Sequence, residues 1–561
     1  MIRLTQLRLP IDHTQAELKQ AAAARMGVAE ADIGQIIVFR RGHDARRRGR
    51  IVLVYTLDCA VRDEAAVLAA HADARDIMPT PDTSYRFVLN DGAQLAARPG
   101  FMRPVVIGAG PCGLMAALVL AQMGLRPLVL ERGKAVRERT VDTFALWRKS
   151  ILTPESNVQF GEGGAGTFSD GKLYSQVSDP RHYGRKVLDA FVRAGAPEEI
   201  LHLSHPHIGT FRLVSMVEHI RAEIGALGGE YRFGAHVTDF ITDDDGAGGQ
   251  RLTALRLADG EEIAANHVVL AIGHSARDTF TALHAAGVEM VAKPFSIGVR
   301  IEHPQSVINT ARYGQPETPS LLGAADYRLV HHATNGRSVY SFCMCPGGTV
   351  VAATSEVGQV VTNGMSQYSR AERNANAGIV VGVTPERDYP GGPLAGIAFQ
   401  REWERKAYEA GGGRYFAPAQ TVGDFLDGRA STTLGDVVPS YRPGVTPCDL
   451  SACLPDFAVT AIREALPAFE RKLTGFSMRD AVMTGVETRT SSPLRIPRGA
   501  DGQGVNLRGL FPAGEGAGYA GGILSAGIDG IRIAEAVALS LAGRALEAGA
   551  QRGMTHATEA Q

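Results

Sequence analysis

No hydrophobic run in this sequence of 561 residues approaches the roughly 20 apolar residues that cross a bilayer; the longest, over 113–125, is too short. The opening Met1-Ile2-Arg3-Leu4-Thr5 passes into charged and polar sequence without the apolar segment of a secretion signal, so the expectation is a cytoplasmic protein with no membrane partner. Cysteine is sparse and scattered, with six residues at Cys59, Cys112, Cys343, Cys345, Cys448 and Cys453, which is not the framework of a disulfide-stapled domain. Neither sign of charge is in surplus. Lys and Arg number 58 against 59 Asp and Glu, a net charge of -1, so whole-chain electrostatics draw the protein toward neither membrane nor nucleic acid. At 45% hydrophobic and 21% charged residues, wholesale disorder is also excluded.

What is abundant is glycine, 65 residues, and glycine gathers where main chain must approach a ligand closely. The length suggests about three folding units. Residues 1–95 read as a small α+β domain, with a strand over 2–9, a helix over 14–26, and paired strands over 35–39 and 51–55. Between the pair lies the Arg-rich run 40–50, read as a solvated hairpin loop with a polyanion or partner contact as its alternative. Residues 92–100 read as a linker. From Pro104 a short apolar strand, a glycine turn, a helix to Met123 and a second apolar strand ending at Glu131 make a βαβ unit of a parallel sheet covered on both faces. Further on, the pattern predicts a helix over 213–227, a strand over 231–241, a hairpin over 252–271 and a helix over 527–543.

Gly108-Ala109-Gly110-Pro111-Cys112-Gly113 is Gly-x-Gly-x-x-Gly between that strand and that helix. The first glycine permits the tight turn, the second admits a pyrophosphate to the amides, and the third lets helix meet strand; the helix N-terminus favours the negative charge. Glu131 ends the next strand, where a carboxylate accepts ribose hydroxyls. Gly161-Glu162-Gly163-Gly164-Ala165-Gly166-Thr167-Phe168-Ser169-Asp170-Gly171-Lys172 reads as a loop wrapping a cofactor, with Thr167, Ser169 or Lys172 reaching its ring. No second Gly-x-Gly-x-x-Gly follows a strand in the middle domain, and Gly246-Ala247-Gly248-Gly249 sits in a polar turn. A dedicated nicotinamide domain is therefore not expected, and any NAD(P)H binds only transiently.

The chain resembles the glutathione-reductase-2-type FAD oxidoreductases, and more narrowly the bacterial FAD-dependent dehydrogenase or FAD-dependent protein family. The likeness rests on Val268 to Gly273, Gly509 to Gly518, Gly521-Gly522-Ile523, His207 to Thr210, Lys293 to Gly298, Tyr340 to Gly348, Asn363 to Ser366, Arg489 to Pro493 and Gly514 to Ser525. It implies an α/β fold: a Rossmann-like FAD-binding domain in two parts, 102–293 and 486–548, with an inserted mixed α+β substrate domain over 294–485, the small N-terminal domain and a flexible tail over 549–561. It implies non-covalent FAD held by Gly108, Gly110, Pro111, Gly113, Glu131, Arg132, Gly163, Gly164, Thr167, Phe168, Val237, Gly273, Gly514, Glu515, Gly522 and Ile523. Glu515 stands where that family usually has Asp against the ribityl chain. The activity implied is hydride transfer between FAD and a small molecule; the alternative is a regulatory FAD-binding protein, partner- or RNA-associated through residues 1–95.

Other residues stay open on sequence alone. Cys343 and Cys345, two apart on one strand and so on one face, are either buried small hydrophobes lining the flavin pocket or a thiol pair near it. His205, His207, His331 and His332 lack partners at metal spacing and read as structural or surface histidines. Lys172 and Lys293 suit a flavin anion or a substrate carboxylate as well as a salt bridge. Arg489 suits an anionic substrate as well as the fixing of the chain's return to the FAD domain. No catalytic base stands out.

Overall fold

The computed structural model describes residues 1–46, 51–246, 249–314, 322–546 and 554. The run 47–50, part of the turn at 247–248 and nearly all of the expected tail lie outside the described residues.

The N-terminal segment folds as β-α-β-β-α-β, with the sheet in the order Ile33–Asp44, Val52–Val61, Ile2–Pro10, Ile77–Pro79, all antiparallel. Its first helix, Gln15–Met26, begins at Thr14, whose side chain accepts from the Glu17 amide while Glu17 reaches back to the Thr14 amide. The helix buries Leu18, Ala22, Ala23 and Met26 against Ile2, Leu4, Leu57 and Cys59 of the sheet. The strands run further than the composition of the Arg-rich run suggests. Arg40 and Arg41 belong to the strand Ile33–Asp44, paired with Thr56 and Tyr55 of Val52–Val61; on the other edge the Arg41 main chain pairs with the segment at 202–204, and Arg40 Nε donates to Ser204 Oγ at 3.0 Å. The expected linker is likewise structured. Gly92–Ala96 is a short helix with Leu95 and Ala96 buried, seated where a Cβ on Gly92 would lie 2.0 Å from the Met123 carbonyl oxygen.

A five-stranded parallel sheet follows, in the order Leu510–Pro512, Val268–Leu270, Val105–Ile107, Leu128–Glu131, Glu230–Phe233. Every residue of the first four strands is buried, which is why they read as unbroken apolar runs rather than alternating ones. The stretch read as one strand over 231–241 is two, Glu230–Phe233 and Val237–Asp244, parted at Gly234 with φ 68°. On the sheet lies the helix Pro111–Gln122, with proline at its first position, packed against the helix Ile523–Leu541. The C-terminal strand thus joins the sheet beside Val268–Leu270, after an excursion of more than 200 residues.

That excursion builds a sheet ordered Val330–His332, Ser338–Ala352, Asn374–Val383, Phe295–Pro304, Val482–Glu487, Ala417–Thr421, Val445–Pro447, with Thr362–Ser366 also pairing with Ser338–Ala352. The helix Asp456–Lys472 covers it, burying Ile462, Leu466 and Phe469. Trp147 Nε1, on a helix beside the parallel sheet, donates to the Ala352 carbonyl at 2.9 Å and fastens the two sheets together.

The contact between the two long apolar helices is tight enough to test. A Cβ on Gly530 would lie 2.2 Å from the Cys112 carbonyl oxygen, whereas one on Gly225, in the helix Thr210–Ala226, meets nothing within 4 Å. Gly530→Ala is expected to destabilise the protein by about 1–3 kcal/mol and Gly225→Ala to stabilise it by about 0.5–1 kcal/mol, read as opposite shifts of the urea midpoint.

Candidate functional site

The C-terminal ends of the parallel strands open into one cavity of about 2410 Å³, which continues to the face of the larger sheet. Crevices at strand C-termini are where open α/β sheets take ligands. Ordinary small-molecule pockets reach roughly 1,000 Å³, so this volume accommodates a dinucleotide and a second molecule together.

The glycine turn has the geometry of a phosphate cradle. Gly108 sits at φ 97°, where a side chain would press on the Ala271 carbonyl, and a Cβ on Gly113 would lie 1.9 Å from the Gly108 carbonyl oxygen. Gly113 therefore serves the close approach of helix to turn and does not line the cavity. Gly110 differs: it caps the helix Pro111–Gln122, lines the cavity, and a Cβ there would have only Gly164 Cα, at 3.7 Å, within reach. Gly273 and Gly522, also in the wall, would carry a Cβ with nothing within 4 Å. The cavity is thus faced by bare main chain at three points and by two helix N-termini, at Pro111 and Ile523.

Glu131 is buried, and its carboxylate accepts three amides: Ala109 N–H at 2.8 Å on Oε2, and Gly133 and Gly161 N–H at 2.9 Å each on Oε1. It lines the cavity and at the same time ties turn, strand end and glycine loop to one another. Arg132, also in the wall, makes two bidentate pairs with Glu155 and Asp278 and stacks on Phe160, its guanidinium 4.1 Å from the ring. Pro111, Gly164, Val237, Glu515 and Ile523 line the cavity too.

Four other expected contacts lie elsewhere. Gly163 donates its amide to the Ala109 carbonyl, and Thr167 turns its carbonyl to the Thr210 hydroxyl at 2.6 Å. Phe168 points away into the core, edge-on to Trp147 and under the Arg139 guanidinium. Gly514 is pinned by its amide to Asp529 and faces Cys112. The glycine-rich segment itself faces the cavity: Gly161, Gly164, Ala165, Gly166 and Ser169 to Lys172 line it, while Thr167 and Phe168, in the 3-10 turn at 165–168, turn inward.

Glu515 faces His274, with Nε2 3.9 Å from Oε1. Burial pushes the Glu515 carboxyl up to about 7, against the pull of the Lys293 ammonium. His274 is held at about 3 by burial and by the Arg489 and Arg277 guanidiniums, so its imidazole is neutral at physiological pH. Sequence reasoning passed over His274 although it directly follows Gly273, the glycine ending a recognised strand. Arg489 is committed within the protein: Nε and Nη2 donate to Glu404 at 3.2 and 3.0 Å, and Nη1 donates to Ser275 and Ser355 at 3.0 and 2.7 Å. Its role here is to join strand and helix across the two sheets.

On the far wall the strand Ser338–Ala352 breaks its alternation. Its register with Asn374–Val383 slips between Phe342 and Cys345, and Cys343 takes φ 41°. The two cysteines therefore do not simply share a face: Cys343 lines the cavity, and Cys345 lies fully buried behind it. The Lys172 ammonium donates to the Met344 carbonyl and stands 3.7 Å from Asp170. Of the histidines, His331 Nε2 lies 2.9 Å from Glu464 and His207 Nε2 3.0 Å from the Tyr368 carbonyl. Among the described residues no group of three or more His, Cys, Asp or Glu is placed to hold a metal ion, and no helix is long and apolar enough to cross a membrane.

The fold and this cradle define an FAD-binding protein: residues 102–277 match the model of the FAD binding domain. Residues 294–490 match the model of the FAD-dependent protein, C-terminal domain-like, and residues 1–60 match a domain of unknown function. A Clostridium beijerinckii protein described as uncharacterized is 44% identical over 535 residues, covering 95% of this chain and 98% of its own. The chain belongs to the family of FAD-dependent proteins that these matches define. Among solved structures it is similar to glycine oxidase from Geobacillus kaustophilus (TM-score 0.35, 12% identity, 79% of this chain and 95% of that one). It is also similar to the halogenase PltM (0.36, 12%, 81% and 73%) and to a flavoprotein/dehydrogenase from Cytophaga hutchinsonii (0.32, 11%, 80% and 81%), likenesses too slight to carry function.

The raised Glu515 carboxyl has a stability consequence. Its folded value, about 7, lies above the ordinary 4.5, so its stabilising contribution is full below about 4.5 and is lost as pH rises through 7. In flavin-free protein the melting temperature of Glu515→Gln, which stays neutral, is expected to gain on that of the parent between pH 5 and pH 8. A difference constant across that range would contradict the assignment.

Proposed function

We propose that this chain is an FAD-dependent oxidoreductase of the dehydrogenase kind, exchanging a hydride between FAD and a small molecule bound between the parallel sheet and the larger mixed one. The observation that carries this reading is the single continuous cavity, which joins the glycine cradle to the wall bearing Tyr340 and Cys343. The finer likeness to the glutathione-reductase-2 type belongs to the same reading.

When bound, FAD supplies a two-electron acceptor or donor of hydride. The chain's own residues bind and orient. Gly110 and the amides at the start of Pro111–Gln122 take the pyrophosphate, Glu131 lies at the ribose end, and Glu515 lies toward the ribityl chain. The N-terminus of Ile523–Leu541 offers its positive end to charge that gathers on reduction. His274, neutral and 3.9 Å from Glu515, stays an uncharged neighbour and does not compete for the carboxyl's proton. Positioning of the second molecule against the cofactor supplies the rate advantage of hydride transfer.

The Arg40 guanidinium donates to Ser204 and the Arg41 main chain pairs with 202–204, which weighs against a hairpin reserved for RNA. The substrate is expected to be a small apolar or carboxylate-bearing molecule, with NAD(P)H as a transient visitor.

Because a Cβ on Gly110 fits without a protein clash, Gly110→Val separates folding from cofactor binding. The purified variant is expected to keep the melting temperature of the flavin-free parent and to lose flavin affinity by about a hundredfold or more, ~2.7 kcal/mol. A yellow variant with parental affinity would contradict the site.

A further inference from the structure

The far wall of the cavity holds chemistry that flavin binding does not need. Cys343 sits at a slip in the register of its strand, with φ 41°, and its side chain lines the cavity. An ordinary strand would place the two thiols at successive same-face positions; here the register slips between Phe342 and Cys345, and the Cys345 thiol donates to the Cys343 carbonyl at 3.3 Å. Left-handed backbone at a non-glycine residue is uncommon and clusters at functional sites.

The charged groups around the pair come from several elements. Lys172 reaches in from the glycine-rich segment and Arg300 from the strand Phe295–Pro304, its Nη1 donating to the Cys343 carbonyl at 2.9 Å. Asp170, Glu487 and Glu515 are the facing anions, but Asp170 is occupied by Arg370 and Glu487 by Arg300. The neighbouring Cys345 thiol and these cations hold the Cys343 thiol well below its ordinary value, while the Cys343 thiolate and burial push Cys345 up. An electropositive, accessible thiol with a second, protonated thiol behind it is the arrangement of an attacking and a resolving cysteine. By contrast Cys448 and Cys59 are both pushed up to about 11 by burial.

We propose that Cys343 and Cys345 are a redox-active dithiol pair at the cavity wall that reduces a small disulfide carrying carboxylates. Arg312 and Arg328 line the same cavity with Asp326 beside them, and Tyr174 stands among Lys172, Asp326, Cys343 and Arg328, so the entering disulfide meets more cations than carboxylates close to the thiol. The Cys343 thiolate attacks one sulfur of the disulfide; a mixed disulfide forms, the substrate's sulfur–sulfur bond breaks, and the first thiolate leaves and takes a proton from water. Cys345 gives up its proton and attacks the Cys343 sulfur; the bond to the bound half breaks, and the second thiolate leaves with that proton. The pair has lost two electrons and the substrate has gained them. This inference rests on the flavoenzyme reading only for the pair's place beside the cofactor.

The test uses the flavin-containing protein in mixtures of reduced and oxidised glutathione at neutral pH, quenched with acid, alkylated and read by mass spectrometry of the peptide spanning 343–345. The expected result is an internal disulfide that rises with the oxidised fraction while Cys59, Cys112 and Cys453 remain alkylated. Cys345→Ser is expected to trap glutathione on Cys343. Independently of any variant, iodoacetamide at pH 6 is expected to label Cys343 about tenfold faster than Cys448. A peptide that stays reduced in the most oxidising mixture, or equal labelling of the two cysteines, overturns the inference. Loss of bound flavin counts against the flavoenzyme reading instead, so the two failures are distinguishable.

Discussion

The Glu131 carboxylate, clasped by the amides of Ala109, Gly133 and Gly161, is the interaction on which the rest of the site depends. A buried carboxylate is tolerable only when its lone pairs are filled, and amides donating to a charged acceptor make the stronger kind of hydrogen bond. These three come from the turn after one strand, the end of the next, and a loop some 30 residues further on. One charged group thereby fixes the distance between the glycine turn and the glycine loop, and Gly164 settles against Gly110 as a result. Removing the charge would loosen both walls of the cradle at once.

A second buried cluster fixes the other dimension of the cavity. Glu404 accepts from both Arg277 and Arg489, and Arg277 also pairs with Glu356. Arg277 follows the parallel-sheet strand Val268–Leu270, whereas Glu404 lies on the helix Ala395–Ala410 of the excursion. Buried ion pairs of this kind add little net stability but penalise every arrangement that leaves a charge unpaired. Their effect here is geometric: they hold the larger sheet at one place over the strand ends, and so fix how far Cys343 and Tyr340 stand from the cradle. The two sheets share one cavity because two sets of buried charges leave them no other seating.

Much of the parallel half was legible because its signals are local. The run from Pro104 to Glu131 carries strand, turn, helix and strand within 28 positions, and the buried parallel strands announce themselves as unbroken apolar runs. What escaped reading depends on contacts made far away. Arg40 and Arg41 look like loop residues until Thr56 and Tyr55 pair with them and the segment at 202–204 closes the other edge, and Gly92–Ala96 looks like a linker until Met123 seats it. Thr167 and Phe168 sit in a glycine-rich segment that suggests exposure, yet Trp147 and Arg139 draw Phe168 into the core. The cysteines read as sharing a face because strand alternation is the default; a register slip has no signature in residues 342–345 themselves. Arg489 offered no way to choose between ligand and scaffold, since its partner, Glu404, lies 85 residues upstream on a helix.

The most direct test of this account is electron density for the flavin-loaded protein. The account predicts the FAD pyrophosphate within hydrogen-bond distance of the Gly110 and Cys112 amides, with the ring system toward Gly522 and Ile523 and the Cys343 wall beyond. A dinucleotide bound anywhere other than the cavity at the strand C-termini, or bound there in the opposite direction, would contradict it.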